Sequence, residues 1–203
     1  MRCTGVAAPL LRANIDTDAI IPSREMTRVA KTGLGEGLFA GERYRDAATR
    51  EPDPDFVLNK PEFRDCRILL AGPNFGCGSS REHAVWALKE FGIRAIVAPG
   101  FGVIFANNCV RNGLLPVTLP QAQLRAVADW VLRAPRAHRV HIDLEKQRLR
   151  AGALAEFPFE IEAGARHMLL KGLDAIALTR TRREVIEDFH RARRRRRPWL
   201  YPG

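Results

Sequence analysis

The sequence predicts an α/β fold, a single layered β/β/α domain in which parallel βαβ units are joined by additional antiparallel strands. Residues 68–71 and 95–98 are short apolar runs, as expected of buried parallel strands. The residues between them predict a helix over 81–91, whose apolar face consists of Ala84, Ala87, Leu88 and Phe91. Residues 139–149 alternate apolar and polar side chains, which is typical of a hairpin.

The remaining elements follow from the same periodicities. They are a strand over 4–12, a turn over 16–18, a helix over 101–111, a strand over 114–117, a helix over 121–133 and a strand over 156–161. The glycine-rich residues 23–45 are expected to form a loop near a binding site. Because the chain has no internal repeat and no long linker, we expect residues 1–190 to form one domain.

The junction between the strand over 68–71 and the helix is the strongest functional signal. Residues 74–83 have the sequence NFGCGSSREH. A helix start exposes unpaired N–H groups and the positive end of the helix dipole, so it attracts anions. Gly78 lets the backbone approach a ligand, Arg81 offers a planar set of donors, and Ser79 and Ser80 add two hydroxyls. The predicted ligand is a small anionic molecule.

Structural interpretations of the same residues remain open. The pattern from Ser79 to Glu82 matches a capping box, so Ser79 or Ser80 could cap the helix, which would leave the other hydroxyl for catalysis. We expect His83 to be a packed residue and Cys77 a small loop residue. The loop lacks the lysine of a P-loop, the third glycine of a dinucleotide fingerprint and the pattern of a nucleophile elbow.

Composition limits the class of protein. The 203 residues are 46% hydrophobic, which is enough for one well-buried domain. Apolar runs are shorter than a membrane span and the N-terminus lacks a signal pattern, so we expect a cytoplasmic protein without a membrane role. Asp16 and Asp18 could ligate a metal, but an Asx turn is the preferred interpretation. The four cysteines are far apart, so we expect no zinc and no cluster on this chain.

Charge is concentrated at the C-terminus. Of the net charge of +10, six charges come from Arg191 and from Arg193 to Arg197, which leaves +4 on the rest of the chain. Such a run can bind nucleic acid phosphates, but blocks of like charge more often form solvated, extended segments. We therefore expect residues 191–203 to be a disordered basic tail, and we consider nucleic acid binding the less favoured alternative.

Five blocks of the sequence resemble one known family. The loop 74–83 is accompanied by 14–22 (NIDTDAIIP), 52–59 (PDPDFVLN), 112–117 (NGLLPV) and 172–179 (GLDAIALT). In this order the blocks are similar to those of the small subunits of 3-isopropylmalate dehydratase, also called isopropylmalate isomerase. That family corresponds to the swivelling domain of aconitase. The resemblance therefore implies an aconitase-like swivelling domain for residues 1–190.

The resemblance also implies a reaction and a partner. The family's enzymes are heterodimeric hydro-lyases of leucine biosynthesis that convert 2-isopropylmalate through 2-isopropylmaleate into 3-isopropylmalate. In this family a [4Fe-4S] cluster polarises the leaving hydroxyl. We expect this chain to bind no cofactor, because its cysteines are far apart, so the cluster is expected in a large partner subunit. By position, Ser79 is the base that removes the proton from carbon, and Gly78, Ser80 and Arg81 bind substrate.

Substrate choice is assigned to another segment by the same resemblance. Val29, Ala30, Lys31 and Thr32 fall where the family recognises the variable side group of its substrate, and Lys31 replaces an arginine that relatives often carry. The alternative within the family is a small subunit of a homoaconitase or a citraconate-type hydratase. The alternative of another class is a non-catalytic anion- or RNA-binding module.

Overall fold

The computed structural model describes residues 1–26, 32–46, 48–152 and 155–200. Within these residues the strands form one seven-stranded sheet and a separate two-stranded ribbon. The strands are β1 (Arg2–Leu10), β2 (Tyr44–Asp46), β3 (Glu51–Pro52), β4 (Cys66–Ala71), β5 (Ala95–Ala98), β6 (Leu115–Thr118), β7 (Val140–Asp143), β8 (Arg148–Ala151) and β9 (Ala155–Pro158).

Four of the described helices follow parallel strands, and four short 3-10 turns lie in the described chain between β1 and β4. The helices are α1 (Thr17–Ile20), α2 (Ala40–Arg43), α3 (Glu82–Phe91), α4 (Val103–Arg111), α5 (Gln121–Arg133), α6 (Ala163–Lys171), α7 (Ala175–Arg180) and α8 (Arg183–Arg196).

Strand β1 divides the large sheet into two halves. The strand order is β6-β5-β4-β1-β7-β8-β9, and β1 pairs parallel with β4 on one side and antiparallel with β7 on the other. In the parallel half, all four residues of β5 are buried. In the antiparallel half, Val140 and Ile142 of β7 are buried, whereas His141 and Asp143 are partly exposed. The predicted α/β fold with parallel βαβ units and additional antiparallel strands is confirmed.

Most predicted elements occur with small shifts at their ends. The strand over 95–98 and the helix over 121–133 are found as predicted. The helix predicted from residue 101 begins at Val103. The two residues before it pair with Phe75 instead: Phe101 forms a β-bridge with Phe75, and Gly102 N donates to Phe75 O. Residues 23–45 were predicted to be a loop, but their described part contains two 3-10 turns, α2 and the start of β2.

The basic C-terminus is helical as far as Arg196. Helix α8 carries the first six residues of the predicted tail, and none of its side chains is buried. The helix therefore has no buried side chain that packs against the core. The domain boundary predicted at residue 190 stays a prediction. No helix in the described part of the chain is long and apolar enough to cross a membrane.

Candidate active site

The candidate site lies where three parallel strands end. β1, β4 and β5 are neighbours with the same direction, so the loops that follow them meet at one edge of the sheet. In open α/β sheets this carboxyl edge is the usual place for ligands. The predicted loop 74–83 is the middle one of the three.

Backbone hydrogen bonds join the loop after β1 to the loop after β4. Gly76 N donates to Ile15 O at 2.7 Å, and Thr17 N donates to Cys77 O at 3.0 Å. Thr17 is buried, with 1% of its surface exposed, and its hydroxyl donates to Ser79 O at 3.0 Å. The block 14–22 therefore positions the serine loop through bonds to the main-chain atoms of that loop.

The loop after β5 closes on the serine loop from the other side. Phe75 N donates to Gly100 O at 3.1 Å, and Gly102 N donates to Phe75 O at 2.9 Å. Gly76 has a φ of +73°, and a Cβ built there would lie 2.2 Å from the Phe105 ring. A Cβ on Gly102 would lie 2.4 Å from Gly76 O. This close approach leaves no room for side chains at the two glycines.

The capping box predicted from the sequence does not form. The N-cap residue of α3 is Arg81, and it makes no side-chain capping bond. Ser79 and Ser80 are exposed instead, and the Glu82 carboxylate accepts a hydrogen bond from Asn112 Nδ2 at 2.7 Å. The alternative in which one serine caps the helix is therefore not found, and tertiary partners hold both ends of the motif instead.

Arg81 lies between the protein and the open surface. Its Nη1 is 2.5 Å from Asp18 Oδ1, and the two side chains are 23% and 54% exposed. Although this contact is close, Nη1 is buried and has no hydrogen bond of good geometry within the described residues. The guanidinium is partly covered and already contacts one carboxylate, a class of partner that its planar set of donors fits well. Asp18 is paired with Arg81, while Asp16 caps α1 by accepting from Ala19 N at 2.7 Å.

Three of the four thiols are inert by burial. Burial raises the pKa of Cys66 to about 12, and it also raises the pKa of Cys3 and of Cys109. Cys77, in the serine loop, is the partly exposed one. The described residues contain no group of three or more His, Cys, Asp or Glu side chains that could hold a metal ion.

Asn112 is a site-positioning residue that sequence reasoning treated only as a helix end. Besides its bond to Glu82, its Oδ1 accepts from Trp86 Nε1 at 2.9 Å, and its carbonyl accepts from Lys89. It thereby joins three residues of α3 to the end of α4. His83 packs 4.8 Å from the Trp86 ring, as expected of a structural residue. In the sequence, the pair Asn112-Gly113 indicated only the end of a helix. The hydrogen bond from Asn112 to Glu82, 30 residues away, cannot be inferred from that pair.

The predicted specificity residues are described only in part. Val29, Ala30 and Lys31 lie outside the described residues, and Thr32 is exposed. A cleft of about 670 Å³ is lined by residues of α3, α4, α6 and α7, Glu82 among them, and its lining does not include Ser79, Ser80 or Arg81. The roles predicted for Gly78, Ser79, Ser80 and Arg81 stay predictions, although the fold brings the four to one exposed edge.

Comparison with known proteins gives a consistent family. The profile of the aconitase C-terminal domain matches residues 1–122. A 3-isopropylmalate dehydratase small subunit of Cupriavidus necator is 62% identical, over 97% of this chain and 95% of that protein. One of Sinorhizobium fredii is 49% identical over 98% of both. A crystal structure of 3-isopropylmalate dehydratase from Methanocaldococcus jannaschii matches with a TM-score of 0.67 at 27% identity, covering 93% of this chain and 99% of that one.

The tight packing at Gly102 generates a stability prediction. We expect Gly102→Ala to lower the free energy of unfolding in urea by about 1–3 kcal/mol, because its Cβ meets backbone atoms that cannot move aside cheaply. Gly100→Ala is the matched control, since nothing lies within 4 Å of its Cβ, and its change should stay within about 0.5 kcal/mol. Equal changes in the two variants would contradict the proposed contact.

The burial of the thiols generates a labelling prediction. We expect iodoacetamide at neutral to mildly alkaline pH to alkylate Cys77 in the native chain, because alkylation needs an accessible thiolate. The raised pKa values and burial of the other thiols, Cys66 and Cys109 among them, should delay their labelling until denaturant is added. Mass spectrometry of peptides checks this. Rapid labelling of Cys66 in the native chain is the contrary result.

Proposed function

The chain belongs to the family of 3-isopropylmalate dehydratase small subunits, and on that premise we propose that its serine loop is one half of an active site completed by a large subunit. The chain is thus a small subunit of the isomerase of leucine biosynthesis that interconverts 2- and 3-isopropylmalate. This assignment favours the lyase over the non-catalytic anion- or RNA-binding module. A cytoplasmic location stays a prediction.

One observation carries the proposal. The residues with the required chemistry lie together at the carboxyl edge of the sheet, where Ser79 and Ser80 are exposed and Arg81 is partly covered. An exposed site cannot exclude water, and electrostatic stabilisation of a transition state is weak in water. A second protein surface placed over this edge would supply the missing walls. The proposed active state is therefore the assembled enzyme.

Ser79 is proposed to remove the proton from the carbon next to a substrate carboxylate. A serine alkoxide is unfavourable in water, and each pKa unit of correction needs about 1.4 kcal/mol. The start of α3 and the cation of Arg81 both favour an anion beside them. The bond from Thr17 to the Ser79 carbonyl holds the residue without using its hydroxyl.

Arg81, Ser80 and Gly78 are proposed to hold the substrate. Charge builds on the carboxylate beside the cleaved C–H bond, and a guanidinium placed there stabilises it in the transition state. Because Arg81 contacts Asp18 before substrate binds, the incoming carboxylate would replace or share that contact. Gly78, with a φ of +84°, presents its backbone to the ligand with no side chain in between.

The cluster is proposed to belong to the partner. Three cysteines of this chain are buried, and Cys77 stands alone at the loop, so they do not form a set of cluster ligands. In the assembled enzyme a [4Fe-4S] cluster in the large subunit would polarise the leaving hydroxyl. The residues of this chain would then act on the opposite side of the reaction, at the carbon that loses its proton.

Removing the base tests the role of Ser79. We expect Ser79→Ala to lower kcat of the reconstituted enzyme by about 10²–10⁴-fold, the range of general base catalysis, while the subunits still associate. Ser23→Ala is the matched control, because Ser23 is exposed and is the other serine of the sequence outside the pair. Near-normal kcat in Ser79→Ala would exclude it as the base.

Assembly and substrate are tested together. We expect the isolated chain to give no turnover of 2-isopropylmalate, and the chain mixed with a cluster-loaded large subunit to form 3-isopropylmalate. Citraconate and homoaconitate, assayed in parallel, test the alternatives within the family. Turnover of citraconate but not of 2-isopropylmaleate would contradict the substrate assignment, and activity of the chain alone would contradict the shared site.

A further inference from the structure

We propose that helix α8 pairs antiparallel with α8 of a second copy of this chain, so that two small subunits form a symmetric dimer through their C-terminal helices. A two-fold axis places the same surface patch of both copies in the interface, so that patch must be complementary to itself. The inference goes beyond the proposed function and does not depend on it, because α8 carries none of the candidate active-site residues.

Helix α8 contributes no buried side chain to the core of the domain. It spans 14 residues, Arg183–Arg196, and all but one of its side chains are exposed. Helices shorter than about 12–15 residues are marginal by themselves in water, because most helical stability in proteins comes from the packing of one face. A second surface that covers one face of α8 would therefore stabilise it.

One face of α8 is apolar and open to solvent. Val185 is 69% exposed, Phe189 is 59% exposed, and Ala192 is exposed as well. Spacings of four and three residues put these side chains on one stripe, because each residue advances about 100° around the helix axis. Ile186, which is partly covered, borders this stripe. A stripe with these spacings is the seam along which two helices pack.

The charges of α8 favour a second copy of the same helix in the antiparallel direction. Residues 183–189 carry three acids and one arginine, whereas residues 190–196 carry five arginines and no acid. Parallel pairing would bring the two arginine-rich halves together, where like charges repel. Antiparallel pairing brings an acidic half against a basic half twice, and it also sets the two helix dipoles in opposite directions.

The order of the charges alone has a simpler explanation, but the apolar stripe does not. Acids at the start of a helix and arginines at its end complement the dipole of that same helix. A solvated helix, or one that bound nucleic acid phosphates through its arginines, would need no exposed Val185 and Phe189 in line. Pairing with a second copy accounts for the stripe and the charges together.

One ion pair between the copies follows from this arrangement. Asp188 and Arg195 are seven residues apart, so they flank the stripe on the same side. With Phe189 opposite Ala192 of the second copy, Asp188 lies about 3 Å along the axis from Arg195 of that copy. Asp188 is bonded to the exposed Arg191 of its own helix, a surface pair that contributes little and can be shared. The dimer contains this contact twice.

The residues that follow α8 extend the same apolar surface. Trp199 is 72% exposed and Leu200 is 46% exposed. Antiparallel pairing directs them towards the start of α8 in the second copy, just after α7, whose Ile176 is 72% exposed. Two short helices still bury less than a standard interface of about 1,600 Å². We therefore expect a weak dimer, with a Kd of about 10–100 μM.

The first test is sedimentation equilibrium of the full chain in a dilution series across that range. We expect the wild type to pass from monomer to dimer. Phe189→Ala should stay monomeric over the same range, because it removes the largest side chain of the stripe. The domain should stay folded in this variant, since no side chain of α8 is buried.

Charge reversal tests the direction of pairing. We expect Asp188→Arg and Arg195→Asp each to raise the Kd of the dimer about tenfold, because each variant sets like charges against each other at both contacts. The double variant should recover the wild-type Kd. Glu187→Arg is the matched control: it makes the same change in charge, but Glu187 lies on the opposite side of the helix from the stripe, so its Kd should change by less than about threefold.

Amide hydrogen exchange gives a second readout, since exchange in α8 should slow as the concentration of the wild type rises. A wild type that stays monomeric, equal effects of Asp188→Arg and Glu187→Arg, or a double variant no better than the single ones would overturn the proposal. Protection of α8 only by a large subunit or by nucleic acid, without a dimer, would also overturn it. None of these measurements uses turnover, so their outcome is separate from that of the proposed function.

Discussion

The close backbone packing around Gly76 is the constraint on which the candidate site depends. At this residue the loop after β4 is bonded to Ile15 on one side, and its neighbour Phe75 is bonded to the loop after β5 on the other. Main-chain bonds and the absence of Cβ atoms hold the loop, so its shape does not rely on the hydroxyls of Ser79 and Ser80. Side chains that are not needed for structure are available for chemistry.

Helix α3 transmits this position to the rest of the site. Its first turn is bonded through Glu82 to Asn112 at the end of α4, and its last turn is bonded through Glu90 to the turn over residues 33–35. An ionised acid in the last helical turn is locally unfavourable, and the tertiary bonds to three amides make it stable there. Tertiary hydrogen bonds therefore hold the helix near both of its ends.

In the function that we propose, the exposed edge is the reason why the active site is divided between two chains. The two serines are exposed in this subunit and Arg81 is partly covered, and in contact with water their effect on a developing negative charge is small. Covering the edge strengthens every charge interaction at once and removes competing water. Reaction would then wait for assembly, which protects the substrate side of the site from unproductive chemistry.

Periodicity and composition were sufficient to predict the α/β class, the strand 95–98 and the helix 121–133, because a buried strand or helix face leaves a repeat in the residues themselves. The family followed from five ordered blocks, and the loop 74–83 was located from its glycines, hydroxyls and cation. The capping box, left open as an alternative, does not form, and the hydrogen bonds of Asn112 and Glu90 to distant residues were not predicted. Their partners lie 30 and more than 50 residues away, and such pairs are chosen by how strands and helices pack. The sequence by itself determined which chemistry the loop can offer. Only the tertiary structure decided which groups hold the loop and which side chains of the loop stay exposed, because local pattern does not record contacts between distant segments.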